Sequence, residues 1–148
     1  MTIRAMQKND AEIWSAMRGR LWPDADAREL IAESRTFLAG EEIALVAAAF
    51  VAELNAVPAG FIELSIRAFA DGCDSRPVPH VEGWYVEPFA RGRGIGRALM
   101  EAAAEWSRDR GFAELASDSD LGNDGSLDAH ARCGFIETER LVKFRRAL

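Results

Sequence analysis

Arg91-Gly92-Arg93-Gly94-Ile95-Gly96 is the stretch that decides the fold of this 148-residue chain. It follows a strand-like run, 81–86, which stops at Glu87-Pro88, and it precedes an amphipathic helix that opens near Ile95. Glycine lets an anion approach the main chain, and a helix start offers unpaired N–H groups and the positive end of a dipole. The stretch therefore predicts a backbone cradle for a phosphate, with arginines supplying charge around it.

The glycine spacing excludes two familiar nucleotide-binding motifs. Counted from Gly92, the last glycine of G-x-G-x-x-G would stand at Arg97, and no Lys-Ser/Thr pair follows as an NTP-binding loop requires. The pattern that remains is R-x-x-G-x-G, which begins at Arg91. On these residues alone, an ordinary surface turn rich in glycine and arginine stays open as the alternative.

Composition indicates one globular domain over residues 1–148, since 49% of the residues are hydrophobic and 28% are charged. The longest apolar run, 43–52, is too short to cross a bilayer, and the N-terminus has no apolar signal core. We therefore expect a cytoplasmic protein without membrane contact. Cys73 and Cys133 have no metal-binding or redox spacing, so we predict free thiols and no metal site.

The net charge of −6 argues against nucleic acid as a partner and favours a cationic ligand. The charge is unevenly distributed, because arginines crowd the glycine loop and acidic residues lie outside it. An anionic cofactor at the loop would leave these acidic positions free to face a cationic acceptor. They are Asp71, Asp74, Glu82, Asp118, Asp120, Asp124 and Glu139.

Strand and helix patterns alternate along the chain without repeats or linkers. Asn9 and Glu12 form a predicted capping box for the first helix, and Gly40 ends the second. The third helix runs from Ile95 to Gly111, and a short fourth one ends at Gly134. Strands are predicted at 3–6, 43–52, 60–67, 81–86 and 112–117, and the tail alternates between apolar and basic residues over 141–145.

A second motif lies downstream: Asn123-x-x-Ser126-x-x-x-His130-x-x-x-Gly134-Phe135. It resembles the N-x-x-A-x-x-x-Y-x-x-x-G-F segment of the GCN5-related N-acetyltransferase superfamily, whose acetyl-CoA pyrophosphate loop the R-x-x-G-x-G run also resembles. The order of elements is similar as well. The resemblance implies an α/β fold with a central mixed, mostly antiparallel sheet flanked by helices, seven-stranded in the superfamily.

Further segments look like the aminoglycoside 6′-N-acetyltransferases of this superfamily. That resemblance implies direct acetyl transfer from acetyl-CoA to a primary amine of an aminoglycoside, which inactivates the antibiotic. It also implies a metal-free reaction without a covalent enzyme intermediate. The segments are Leu21-Trp22-Pro23, Asp71-Gly72-Cys73-Asp74-Ser75, Glu82-Gly83, Ala116-Ser117-Asp118 and 134–140.

The resemblance also assigns the donor site. Asn123 is expected to contact the pantetheine arm, and a backbone N–H near Val86 is expected to face the thioester oxygen. His130 takes the slot of the superfamily's tyrosine and is a candidate proton donor to the departing thiolate. The expected cofactor-binding residues are Trp84, Val86, Arg91, Gly92, Arg93, Gly94, Ile95, Gly96, Arg97, Asn123 and Ser126.

Glu82 is the second candidate catalytic residue, as a general base or an anchor for the amine, on the same strand face as Trp84 and Val86. By resemblance, the acceptor would lie against Trp22, Glu82, Asp118 and Glu139. Each of three residues, taken singly, also has an interpretation without a functional role. Asp118 fits a turn residue, Glu139 fits a solvated charge on a strand, and Trp22 fits a core residue. Phe144 stands where close relatives carry a tyrosine, which makes an altered acceptor preference plausible.

Two other functions stay open from the sequence. One is acetyl transfer to a polyamine, an amino acid or a protein N-terminus, because sequence specifies the donor half of this fold better than the acceptor half. The other is a non-catalytic module that binds acetyl-CoA. Pairing of the alternating tail with a second copy would give a homodimer.

Overall fold

Five strands form a single sheet in the computed structural model, which describes residues 1–148. The first four strands are antiparallel to their neighbours, and the fifth is parallel to the fourth. The predicted mixed, mostly antiparallel α/β architecture is confirmed, with five strands instead of seven. The strands are Thr2–Ala5 (β1), Ala48–Leu54 (β2), Val57–Arg67 (β3), Val78–Val86 (β4) and Ala116–Ser117 (β5).

Helices cover both faces of this sheet. Trp14, Met17 and Phe61 are fully buried where the first two helices pack on one face. Ile62, Leu64 and Leu99 are fully buried under the third helix on the other. The helices are Ala11–Leu21 (α1), Ala27–Leu38 (α2), Ile95–Asp109 (α3) and Asp124–Arg132 (α4). None of them has the length and apolarity needed to span a bilayer.

The capping box predicted for α1 is wrong. The carboxylate of Asp10, at the N-cap, accepts a hydrogen bond from the Gln7 N–H at 2.7 Å. Glu12 instead forms an exposed ion pair with Arg35 of α2, with an N–O distance of 2.8 Å. The predicted end of α3 is confirmed, because Gly111 has φ +82° just beyond it.

Strand boundaries were predicted less well. β2 begins at Ala48, because 43–46 forms a tight turn with a bridge between Ile43 and Val46. β5 is reduced to two residues of the predicted 112–117. Residues 135–148 form no strand, and Val142 and Phe144 are exposed there. The tail has the alternating pattern of a strand but no neighbouring strand within this chain.

Candidate active site

The glycine turn forms an open, positively charged cradle at the start of α3. Gly92 and Gly94 have φ values of +74° and +78°, and a Cβ added to either would meet no atom within 4 Å. The side chains of Arg91, Arg93 and Arg97 are exposed and form no ion pair in the chain. Free N–H groups, a helix start and three uncompensated guanidinium groups together suit a diphosphate.

The sheet splits beside this cradle. β4 and β5 pair at His80 with Ala116 and at Val81 with Ser117, and β4 then continues to Val86 without a strand on that side. The Nε of Arg91 donates to the carbonyl of Val86 at 3.0 Å and ties the cradle to the end of β4. An extended ligand with its phosphate in the cradle can therefore run along free backbone groups of β4.

Glu82 occupies a β-bulge in the pairing of β3 with β4. Glu63 pairs with Gly83 and Leu64 with Val81, so Glu82 is the extra residue on β4. Val81 and Trp84 both pack on the α3 side of the sheet, whereas Glu82 bonds to Ser65 and Arg67 on the opposite face. The expectation that Glu82 shares a face with Trp84 and Val86 is therefore wrong, because the bulge shifts the alternation.

Both carboxylate oxygens of Glu82 are engaged. Arg67 donates from Nε to Oε1 at 2.8 Å and from Nη2 to Oε2 at 2.9 Å, and the Ser65 hydroxyl donates to Oε1 at 2.5 Å. Burial favours the neutral acid, but the nearby His80 imidazole and the hydrogen bonds from Arg67 and Ser65 outweigh it and hold the pKa of Glu82 well below its usual range. Glu82 is thus a carboxylate at any physiological pH.

A buried histidine connects two of the candidate acceptor residues. The Nδ1 of His80 lies 3.4 Å from Oε1 of Glu82, and its Nε2 lies 3.6 Å from Oδ2 of Asp118. The His80 side chain is 4% exposed and its Nδ1 has no well-aligned hydrogen bond, whereas Asp118 is open to solvent. The imidazole therefore lies between a half-buried carboxylate and an exposed one.

Trp22 forms a wall next to these groups. It follows the last residue of α1, and its ring edge would lie 2.9 Å from a Cβ built on Gly83. The missing side chain at position 83 thus lets the indole pack beside Glu82. Trp22 is therefore placed at the neighbour of Glu82 in β4, and His80 lies between Glu82 and Asp118. Glu139 has no such contact, because it lies exposed in the tail and forms no hydrogen bond or ion pair.

His130 lies on α4 against the other end of β4. Its ring makes edge contacts with Trp84 and Phe135, at centroid distances of 5.2 and 5.3 Å. Nδ1 lies 2.7 Å from the carbonyl oxygen of Ser126, which can only accept, so this nitrogen carries the proton. Nε2 shares a hydrogen bond with the Ser117 hydroxyl at 2.7 Å, in which this nitrogen accepts when the ring is neutral and donates when the ring is protonated. Both ring nitrogens therefore have hydrogen-bond partners.

The remaining expected cofactor residues surround the gap between β4 and α4. Asn123 caps α4, and its side-chain oxygen accepts from the Ser126 N–H at 3.1 Å. The indole N–H of Trp84 donates to the Gly96 carbonyl at 3.1 Å, and the Ile95 side chain is buried beneath the cradle. No group of three or more His, Cys, Asp or Glu residues is placed to hold a metal ion.

Four residues of this site had no assigned role in the sequence interpretation: Ser65, Arg67, His80 and Ser117. The alternation of β3 places Ser65 and Arg67 on one face, which is a usable signal. Their contact with Glu82 depends on the bulge, which leaves no mark in the sequence pattern. Likewise, His80 meets Asp118 only because β5 runs parallel to β4.

A glycine turn with free arginines, a split sheet and two carboxylates beside the same strand provide the charges to hold an anionic ligand next to a cationic one. The chain belongs to the acetyltransferase (GNAT) family, whose model matches residues 9–135.

Its relatives narrow this further. The aminoglycoside N(6′)-acetyltransferase type 1 of Klebsiella aerogenes is 40% identical over 146 residues, which cover 99% of this chain and 96% of the relative. The enzyme of the same name from Stenotrophomonas maltophilia is 43% identical, with coverage of 99% and 94%. The solved structure of AAC(6′)-Iy with the bisubstrate analogue CoA-S-monomethyl-acetylneamine is 35% identical, with a TM-score of 0.89 and coverage of 99% and 98%.

Proposed function

We propose that this protein transfers the acetyl group of acetyl-CoA directly to the 6′-amine of an aminoglycoside and so inactivates the antibiotic. The observation that carries the proposal is the free edge of β4. It leads from the arginine-rich cradle to the group formed by Trp22, Glu82 and Asp118. The full-length similarity to aminoglycoside N(6′)-acetyltransferases supports it.

In this proposal the cofactor lies along β4. Its diphosphate would be held by the N–H groups of 92–96 and by Arg91, Arg93 and Arg97, and its pantetheine arm would pass between β4 and Asn123. The thioester carbonyl would then face the free backbone of β4 near Val86. An N–H group aimed at the developing oxyanion would stabilise it without reorganisation.

Transfer requires a neutral amine and a proton for the thiolate. The amine nitrogen forms a bond to the carbonyl carbon, the carbon–sulfur bond breaks, and the sulfur leaves with the electron pair. The nitrogen gives up one proton to solvent water as the amide forms. Glu82 accepts a hydrogen bond from the amine and orients it. The proposed source of the proton for sulfur is the protonated form of His130, which would donate from Nε2. If His130 supplies this proton, His130→Gln should lower kcat and leave the KM of acetyl-CoA within about twofold of wild type. An unchanged kcat would exclude His130 from the reaction.

The function is tested by thiol release from acetyl-CoA over a panel of aminoglycosides with either a 6′-amine or a 6′-hydroxyl group. We expect turnover with the amine members only. Equal turnover with both groups would overturn the assigned position, and no turnover with any member would overturn the substrate class.

A second candidate is acetylation of another cationic amine. It is favoured by Glu139, which is exposed and forms no hydrogen bond or ion pair, and by Phe144, which has no hydroxyl. Neither side chain is thus held in place by the chain for an aminoglycoside. Faster turnover with a polyamine, amino acid or peptide N-terminus than with any aminoglycoside would support this candidate.

Replacement of Gly94 tests the cradle. We expect Gly94→Ala to raise the KM of acetyl-CoA about tenfold, because a Cβ would stand where the phosphate approaches the main chain. The control is Gly111→Ala, at the other end of α3, where φ is +82° and the added Cβ also meets open space. Both variants should lose about 1 kcal/mol of unfolding free energy from the strained φ, measured by urea denaturation. A similar rise in KM for the control would refute the cradle.

We also propose a cytoplasmic homodimer. Cys73 and Cys133 are free thiols, which suits a reducing compartment, and Ile136, Val142 and Phe144 are exposed in a tail with strand-like alternation. Light scattering should give twice the chain mass for the full protein and the chain mass after removal of 141–148. A monomeric full-length protein would contradict the dimer, and recovery of the native protein in the periplasmic fraction would contradict the location.

A further inference from the structure

Arg67 places a fixed positive charge on the carboxylate that the proposed acceptor needs. Its guanidinium group contacts both oxygens of Glu82, and the two N–O distances are 2.8 and 2.9 Å. This fork geometry is the stronger form of an arginine–carboxylate pair. Glu82 is 18% exposed and Arg67 is 42% exposed, so the pair lies at the mouth of the site and is only partly screened.

The hydrogen bonds to Glu82 occupy most of the acceptor positions of its carboxylate. An ionised carboxylate offers about four acceptor positions. Oε1 accepts from Ser65 and from the Nε of Arg67, and the Nδ1 of His80 lies 3.4 Å from it. Oε2 accepts from the Nη2 of Arg67 alone. One lone pair of Oε2 is therefore free for an incoming amine.

The charge of Arg67 then affects the protonation state of that amine. An isolated carboxylate binds an ammonium ion well, but it also holds the proton that the nucleophile must lose. A guanidinium group on the same carboxylate cancels this attraction and favours the neutral amine. The amine still gains a hydrogen bond to Oε2, which orients it.

We propose that Arg67 is a specificity-determining residue that stays paired with Glu82 and makes the bound acceptor react as the free base, at the expense of ground-state affinity. This inference rests on the proposed function, since it takes Glu82 as the contact of the reacting amine. The other charged or titratable groups at this place are His80 of β4, which lies against Glu82, and Asp118, which follows β5. The hydrogen bond with Glu82 and, to a smaller extent, the negative charge of Asp118 raise the pKa of Arg67. Replacement of Arg67 leaves His80 and Asp118 in place.

The test compares wild type with Arg67→Gln by thiol release over pH 5.5–9.5, with any amine that the wild type acetylates. We expect the KM of the amine to fall about fivefold, as for loss of a partly exposed charge. The midpoint of the rising limb of kcat should move up by about one pH unit, because the bound amine now keeps its proton more tightly. An unchanged KM or an unchanged midpoint would overturn the proposal.

Two further variants isolate the effect. Arg67→Lys keeps the charge without the fork geometry. Its midpoint in the pH profile of kcat should therefore lie close to the wild-type value. Arg35→Gln removes an arginine from the exposed ion pair with Glu12 and should change neither KM nor midpoint. A shift in the Arg35 variant equal to that in Arg67→Gln would assign the effect to overall charge and overturn the proposal.

An acceptor-free measurement separates this inference from the proposed function. In ¹³C-carboxyl NMR of the labelled protein, the Glu82 signal should titrate at higher pH in Arg67→Gln than in wild type. An unchanged Glu82 titration overturns the Arg67 inference whatever the substrate is. Absence of turnover with all aminoglycosides, together with the expected Glu82 shift, overturns the proposed function alone.

Discussion

Glu82→Gln should lower kcat/KM for the amine acceptor by about 10²–10³-fold and leave the KM of acetyl-CoA unchanged. The substitution keeps the size of the side chain and an oxygen that can accept from Ser65 or Arg67. It removes the negative charge and the oxygen lone pair that faces the acceptor. Stopped-flow or steady-state thiol release measures both constants.

The size of this effect follows from the surroundings of Glu82. Loss of the carboxylate leaves the positive charge of Arg67 uncompensated at the place where a cationic acceptor arrives, so a neutralised pair becomes a net repulsion. Since the pKa of Glu82 lies far below its usual range, the loss should be the same from pH 5.5 to 9. The defect of Glu82→Gln should therefore not be rescued by raising the pH.

Glu53→Gln is the matched control. Glu53 is 23% exposed and accepts from the Nε and Nη2 of Arg4, with distances of 3.0 and 2.6 Å, between β1 and β2. The Glu53→Gln variant therefore loses a comparable ion pair away from β4. Its kcat/KM for the amine should stay within about twofold of wild type. A loss below about fivefold in Glu82→Gln would contradict a direct role of this carboxylate.

Periodic and local signals predicted the strand, glycine turn and helix that form the cradle. The apolar stripe of α3 and the glycine at each of its ends are local in sequence, and the helix begins at Ile95 as expected. The cradle could be predicted for the same reason, because strand, turn and helix start are consecutive. Such features need no information about distant residues.

The contacts of Glu82 depend on the register between β3 and β4, which sequence patterns do not reveal. Glu82 faces Ser65 and Arg67 because a bulge follows Val81, and one inserted residue reverses the direction of a side chain. The run 43–52 is apolar throughout, so its composition could not show that the strand begins at Ala48. The strand pattern of 141–145 has no partner strand inside one chain, which is why the sheet ends at β5.

The largest expected loss of stability concerns a buried ion pair beneath Trp22. Glu63 is 1% exposed and Arg18 is 3% exposed, and the Arg18 Nε lies 3.1 Å from Oε2 of Glu63 without good hydrogen-bond alignment. Trp14 donates its indole N–H to Oε2 at 3.0 Å. The guanidinium carbon of Arg18 also lies 5.5 Å from the centroid of the Trp22 ring, so the pair supports the wall of the candidate acceptor site.

Glu63→Leu should lower the free energy of unfolding by about 3 kcal/mol. It removes the buried carboxylate and an acceptor from Trp14, and it leaves Arg18 only the ion pair with the more exposed Glu33, with an N–O distance of 2.9 Å. The double variant Arg18→Met with Glu63→Leu should recover much of this loss, since the buried guanidinium charge is removed as well.

Glu12→Gln, which breaks the exposed pair with Arg35, should leave the free energy of unfolding nearly unchanged. Urea denaturation at pH 7 measures all three. A double variant no more stable than Glu63→Leu would show that the buried guanidinium charge is not the cause of the loss.

The same pair gives stability a definite pH dependence. Burial raises the pKa of Glu63 to about 7, although the Arg18 charge and the Trp14 hydrogen bond oppose the shift. Folding therefore favours the protonated acid, and the stability that Glu63 contributes is complete below its unfolded pKa and is lost as the pH rises through 7. Glu63→Gln cannot ionise, so its unfolding free energy should rise relative to wild type between pH 5 and 8. A constant difference over that range would mean that Glu63 is ionised throughout, and that Arg18 outweighs the effect of burial.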